Sequence, residues 1–437
     1  MDIETSLATI SWTCSDQDAD VISYDVYFGT DENPEFKETV IGDMWYGMTG
    51  LDENTTYYWK IVADDGNEHQ THGDVWNFTT AEDGGTSLVL NWETEIIDNS
   101  GTGYLGLGYN CQLVIDNSGG IHTAYIDRDV LSLKYAYKPS GGNWIVSEIT
   151  TYIHGSLSAI TIDSNENLHI AFLNDNNVIA YATKMLGAAT WTVANITDIG
   201  TYYLATTDTY FNLKADSNNG LHLVAANSGG NNYLQYFYKS ETGNWTREIL
   251  DNTNDCGEQP DIFIKDNTIH VSYGANNSGS LKYATKPIEG GTWEIENVFS
   301  STSVYHTAIT LTSSNEINII FRDYSGGFKC ASKISGLWSI VSIDDNYGIY
   351  SGLSADNNDI LYASYSYYGG TGFKLGYNTG LIWNTAMIDN TEAYGYIQYT
   401  DIVCGNNGHI YAVYQIAENN GNGRNILKLA DIFWEEQ

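Results

Sequence analysis

From residue 86 to the C-terminus the sequence repeats itself about every 49 residues, and this period restricts the fold more than any other feature. One copy reads Leu113-Val114-Ile115-Asp116-Asn117-Ser118-Gly119-Gly120-Ile121-His122-Thr123-Ala124-Tyr125, continues with Leu133-Lys134-Tyr135-Ala136-Tyr137-Lys138 and closes with Gly142-Asn143-Trp144. The next carries Asp163, His169, Lys184 and Trp191. Later copies carry Asp216, His222, Tyr236 and Trp245, then Asp266, His270, Tyr283 and Trp293. Weaker copies follow with Asn318, Lys329 and Trp338; Asp356, Lys374 and Trp383; and Asn406, Lys428 and Trp434. From Trp92 onward these tryptophans stand 52, 47, 54, 48, 45, 45 and 51 residues apart.

Each interval holds four runs of strand length, the first two joined by Asn, Asp and Gly of a tight hairpin. Four antiparallel strands per repeat make a propeller blade, and the period-2 alternation excludes helical repeats. The ends settle the count. Trp92-Glu93-Thr94-Glu95-Ile96-Ile97-Asp98 looks like a blade's last strand, matching Trp383 to Asp389, yet it precedes the first complete copy. Trp434 follows Lys428 by only 6 residues, whereas Trp144 follows Lys134 by 10. The strand near Trp92, at 88–97, is therefore expected to complete the last blade by pairing with 424–431. Seven blades close the ring and remove exposed sheet edges. The expected class is all-β, with the propeller over 88–437.

These units resemble the Asp-Ser-x-Gly-x-x-His-x-Ala-Tyr…Leu-Lys-Tyr-Ala-x-Lys…Gly-x-Trp repeats of secreted bacterial and archaeal propellers, whose distant relatives include lectin-like ones. The resemblance specifies fold far better than activity. Residues 1–81 read differently. Strands at Ile10–Trp12 and Tyr24–Phe28 precede Leu51-x-x-x-Thr55-x-Tyr57-x-Trp59-x-Ile61, where Tyr57, Trp59 and Ile61 share a face. That pattern resembles the corner of a fibronectin type III module, which implies a small sandwich with a Tyr hydroxyl bonded back to the backbone. Its usual first strand has no room before Ile10. Residues 82–87 form a small, polar linker.

Charge narrows the partners. The chain has 55 acids against 18 bases, a formal net charge of −37. A surface so short of cations neutralises phosphates poorly, so nucleic acid and anionic membranes are poor partners, and neither nucleic-acid binding nor membrane insertion is expected. No apolar run reaches membrane-spanning length, and no signal segment follows Met1. A hydrophobic fraction of 42% excludes global disorder. Cys14, Cys111, Cys256, Cys330 and Cys404 form no CxxC and suit neither a zinc cluster nor a disulfide scaffold; a Cys111–Cys404 bridge stays open. Sequons at Asn54, Asn77, Asn195, Asn244 and Asn276 suit an extracellular or cell-surface protein but add little in so Asn-rich a chain.

The repeats also separate scaffold from site. A residue returning in one slot of several blades belongs to blade architecture, whereas one that appears once is a better candidate for chemistry. His122, His169, His222 and His270 share a slot and are expected to be hydrogen-bonded within their blades. The residues left over concentrate in connectors and loops at one end of the channel. Candidate ligand contacts are Tyr152, His154, Tyr210, Gln259, Tyr305, His306, Tyr350, Tyr399 and Arg322. Tyr offers an apolar face to the C–H side of a sugar and a hydroxyl to its rim. The competing reading is that these rings only plug the channel mouth.

An enzyme is less favoured. Sialidase-type Ser-x-Asp-x-Gly-x-x-Trp boxes are absent, and Arg128, Arg247, Arg322 and Arg424 are too few for an easy arginine triad. A polysaccharide lyase using His154 or His306 with Arg322 is the one catalytic set that can be named. No cofactor is indicated beyond Ca²⁺: Asp16, Asp18 and Asp20 present oxygens at alternate positions, although a solvated acidic turn explains them more simply. The leading expectation is thus a non-catalytic binding protein taking glycan or a surface protein on a Tyr-rich face. The alternatives are a lyase-like enzyme on the same face and a self-assembling envelope or filament component.

Overall fold

The computed structural model describes the chain except for residues 1–6, 15–21, 42–44, 50, 67–69, 81–87, 102–105, 152, 154–156, 177, 197–210, 227–232, 254–255, 276–278, 346–347, 368–371, 379–381, 391–398, 418–424 and 437. It divides into two compact units: Met1–Val89 with Gly380–Ile382 and Glu435–Gln437, and Leu90–Thr379 with Trp383–Trp434.

In the first unit Leu7–Ser11 pairs with Trp45–Thr49, while Ser23–Gly29 and Thr56–Asp64 centre a second, five-stranded sheet. Alternate residues of Ser23–Gly29 are buried, and Tyr24, Val26 and Phe28 pack with Tyr57 and Ile61. The Tyr57 hydroxyl accepts the Asp52 N–H at 2.9 Å, closing the turn before its own strand.

The second unit is a seven-bladed propeller of four-stranded antiparallel sheets. The inner strands of blades 1 to 7 are Leu107–Ile115, Ser158–Ile162, Phe211–Ala215, Cys256–Lys265, Val304–Leu311, Gly348–Ala355 and Thr400–Cys404, each packed on the next and the seventh on the first. Blade 7 is completed by Leu88–Asp98 lying beside Asn425–Glu436, the closure expected from the short Lys428–Trp434 spacing. The Trp92 indole donates to the Ile388 carbonyl of blade 6 at 3.0 Å. None of the five cysteines forms a disulfide, so Cys111 and Cys404 are not bridged.

Repeated slots do repeated structural work. His122 and His222 each bridge the Asp of the hairpin turn (Asp116, 3.1 Å; Asp216, 2.9 Å) to a third-strand Tyr hydroxyl (Tyr135 and Tyr236, both 2.6 Å). His169 joins Asp163 and Tyr181 in the same way, and His270 meets Tyr283 at 2.6 Å. Burial holds all four rings below the ordinary His pKa, His270 at about 4. A neutral ring then donates from Nε2 to the carboxylate and accepts the phenol proton at Nδ1. The Tyr ring receives the next blade's Trp edge-on, as in Tyr135–Trp191 and Tyr236–Trp293.

A second set stitches neighbouring blades. Asp98, Asp251, Asp344 and Asp389, each six residues after its blade's Trp, accept from a second-strand Tyr of the following blade (Tyr125, Tyr273, Tyr365, Tyr414) at 2.7–2.9 Å. Lys134, Lys282, Lys374 and Lys428 complete these groups at 2.6–3.3 Å. Much of the chain's scarce positive charge is thus committed between blades.

Candidate functional site

The inner strands bulge at one recurring point. Pairing to the second strand slips between Glu258 and Asp261, between Tyr305 and Ala308, and between Ile349 and Gly352. At that point the backbone turns left-handed: φ is 47° at Asn110, 46° at Gln259, 54° at His306, 50° at Tyr350 and 67° at Tyr399. Each such residue costs roughly 1 kcal/mol unless it is Gly. None of these is Gly. Neighbouring blades hold the bulges in place: Thr307 Oγ1 donates to the Gln259 carbonyl at 2.8 Å and Ser351 Oγ to that of His306 at 3.0 Å. The Gln259 side chain also accepts the His306 N–H. A bulge re-aims the side chain it carries, and here it turns a row of side chains on successive blades towards the channel.

These side chains meet. The His306 and Tyr350 rings lie edge to face at 4.7 Å, Tyr350 and Tyr399 are 4.5 Å apart, and Tyr305 stands 6.4 Å from His306. Gln259, His306, Tyr350 and Tyr399 line a cavity of about 410 Å³ that runs down the channel. Arg322 pairs across the strands from Tyr305, with its guanidinium 5.5 Å from the Tyr324 ring. Desolvation, reinforced by the Arg322 charge, holds the His306 ring near a pKa of about 3. The sequence candidates Gln259, Tyr305, His306, Tyr350, Tyr399 and Arg322 therefore form one cluster over blades 4 to 7. Tyr152, His154 and Tyr210, and the acidic loop Asp16, Asp18 and Asp20, lie outside the described residues. Among the described residues no three His, Cys, Asp or Glu side chains are placed to hold a metal, and no helix is long and apolar enough to cross a membrane.

Beneath the mouth lies a polar layer that the sequence reading missed. Gln112, Asn212, Asp261 and Asp401 face the cavity, with Gln112, Asp261 and Asp401 two residues below the slots of Asn110, Gln259 and Tyr399. Asp261 accepts from Asn212 Nδ2 at 2.5 Å and from the Ile309 N–H of blade 5 at 2.8 Å. Asp401 accepts from the Leu113 N–H of blade 1 at 3.1 Å, and Gln112 from the Ile160 N–H of blade 2 at 3.1 Å. Burial raises both carboxyls, Asp261 to about 6, and the Lys214 charge opposes that rise in each. The available signal was a polar residue on the channel-facing alternation of an otherwise apolar inner strand, as in Gln259-Pro260-Asp261-Ile262-Phe263-Ile264.

No protein-family model and no curated protein matches the chain. Solved structures do resemble it. A protein of unknown function from Dyadobacter fermentans aligns with TM-score 0.49 and 11% identity, over 80% of this chain and all of its own. The Aleuria aurantia lectin in complex with α-methyl-L-fucoside aligns at 0.44 and 11%, over 66% of this chain and 96% of its own. A Hadza microbial sialidase aligns at 0.47 and 9%, over 98% and 93%. Likenesses this remote leave ligand and activity open.

Proposed function

We propose that the chain is a non-catalytic, extracellular carbohydrate-binding protein whose ligand enters the aromatic mouth of the propeller channel. One observation carries the reading. Successive blades hold Gln259, His306, Tyr350 and Tyr399 in left-handed backbone at one level, side by side around a cavity. Glycine would relieve the strain at each position; the Gln259 side chain is used to hold the His306 N–H, and the rings of His306, Tyr350 and Tyr399 are left needing a use at the mouth. Half-buried aromatic rings edged by hydroxyl and amide groups suit a sugar's apolar face and polar rim. A lyase using His306 as its base is disfavoured, because a ring that protonates only near pH 3 is a poor proton acceptor, while the other candidate base, His154, lies outside the described residues. Residues 1–81 are read as a fibronectin type III-type spacer, supported by the Tyr57–Asp52 bond.

A glycan array probed with the wild-type chain and with Tyr350→Ala and Tyr399→Ala tests this. Wild-type binding that both variants lose is the expected outcome. Binding that survives both changes would move the site elsewhere on the protein.

A further inference from the structure

The polar layer below the mouth has an unbalanced charge. Among the described residues lining the cavity, Lys214 is the only lysine or arginine, and it faces both Asp261 and Asp401. Both carboxylates clip one blade to another by accepting a main-chain N–H. Blade 1 makes the same clip with the neutral amide of Gln112. The clip therefore does not require a charge, and burying a carboxylate where an amide suffices is unfavourable. Asp116 also belongs to the described lining, its carboxylate held by the Gly120 N–H and His122, so one lysine stands against three carboxylates there and the described lining is net negative, with the mouth rings above Asp261 and Asp401.

Space is available beside those carboxylates. In blades 5 and 6 the residues at their level are Ala308 and Gly352, so the wall recedes below His306 and Tyr350. A Cβ at Gly352 would fall 2.8 Å from Asp401 Oδ1, so that oxygen lies against the glycine and any side chain there would crowd it. A cation entering past Tyr350 and Tyr399 would first meet ring faces, which attract it, and then this carboxylate.

Resting on the carbohydrate reading, we infer that the channel receives a protonated primary amine, and that the ligand is an amino sugar whose ring stays at the mouth while its ammonium reaches Asp401 and Asp261. Ammonium fits better than a metal ion, because two carboxylates already engaged with backbone N–H groups offer too few free oxygens for a Ca²⁺ shell. The raised carboxyl of Asp261 supplies a corollary. The charged groups that face it are Lys214 and Asp401, so an incoming cation favours its ionised form. Affinity should then weaken as pH falls through about 6.

Titration calorimetry on the full chain with a glucosamine trimer, its fully N-acetylated counterpart and spermidine tests the inference. The free-amine trimer is expected to bind about tenfold or more tighter than the acetylated one. That preference should vanish in Asp401→Asn and shrink in Asp261→Asn, both of which keep an oxygen for the blade clip; thermal unfolding confirms that each variant folds. Equal binding of the two trimers would overturn the amine and keep the sugar. Spermidine binding as tightly as the amine trimer would keep the ammonium and overturn the sugar. An amine preference that persists in both variants would assign it to the general acidity of the protein, and silence from every probe would overturn the amino-sugar inference, while the carbohydrate reading stands or falls with the glycan array.

Discussion

Between the blades the Asp, Tyr and Lys of a stitch return together at four junctions; at the mouth the same backbone returns while the side chains differ. Where Asp251 ends the outer strand of blade 3, blade 4 supplies Tyr273 and Lys282. Where blade 1 has Thr150 in that position, blade 2 offers Phe172 and Ala180, and nothing polar is stranded. Where blade 4 has Phe299, blade 5 answers with Phe321 at 5.3 Å and turns Lys329 to its own Asp323 at 2.8 Å. The His slot behaves likewise: His pairs with Tyr in blades 1 to 4, whereas blade 5 has Asn318 opposite Ser332. Replacing buried polar groups together avoids a costly lone survivor, and Gln235 in blade 3, buried with no hydrogen-bond partner among the described residues, departs from that pattern. The mouth slots instead hold Asn110, Gln259, His306, Tyr350 and Tyr399 on one backbone geometry. What varies there is what a ligand would touch.

Breaking a stitch should have the largest effect. Asp251→Ala strands Lys282 and Tyr273, and about 3–5 kcal/mol of stability is expected to go in urea unfolding, with sugar binding unchanged in the folded fraction. A loss below about 1 kcal/mol would place the stitch with ordinary surface pairs.

Acidification comes next. The blade histidines titrate below the ordinary 6.5 in the folded protein, so the unfolded chain takes up protons first. Their contribution is complete above about 6.5 and is lost as pH falls towards 4. Asp98, Asp116, Asp163 and Asp251, held below 3.8, add to the loss under more acidic conditions. Asp261 and Asp401 work against this trend, since burial raises both carboxyls and so favours the protonated fold as pH falls, for Asp261 below about 6. The melting temperature is expected to fall between pH 7 and 4, and a flat or rising profile would contradict the neutral-His assignment.

A smaller change is expected of His222→Asn. Blade 5 already carries Asn in this slot, so about 1–2 kcal/mol should be lost, less than for His222→Ala. Equal losses in the two variants would mean that the ring's packing outweighs its hydrogen bonds.

Most of the propeller was legible because each blade repeats its own evidence. The tryptophan period and the crowded Lys428–Trp434 spacing led to seven blades and to closure by the strand of Trp92. The spacing of Trp92 to Asp98 and of Trp383 to Asp389 was equally visible, but the partners Tyr125, Lys134, Tyr414 and Lys428 come from the following blade. A period reveals contacts within a copy better than contacts between copies. The mouth residues Gln259, His306, Tyr350 and Tyr399 were found by subtraction, as what architecture left unexplained. Their left-handed backbone was not legible, because no glycine marks it. Asp261 and Asp401 were overlooked because 55 acids offer too many choices until strand alternation is read into the channel.

Tyr350→Gly tests the contrast between blade and mouth most directly, read by chemical denaturation and glycan-array binding on the same sample. Relief of the left-handed backbone at φ 50° offsets the lost ring contacts with His306 and Tyr399. Stability is therefore expected to stay within about 1 kcal/mol of wild type while glycan binding is lost. A protein several kcal/mol less stable that still binds its glycan would contradict the account and make the mouth rings a structural plug.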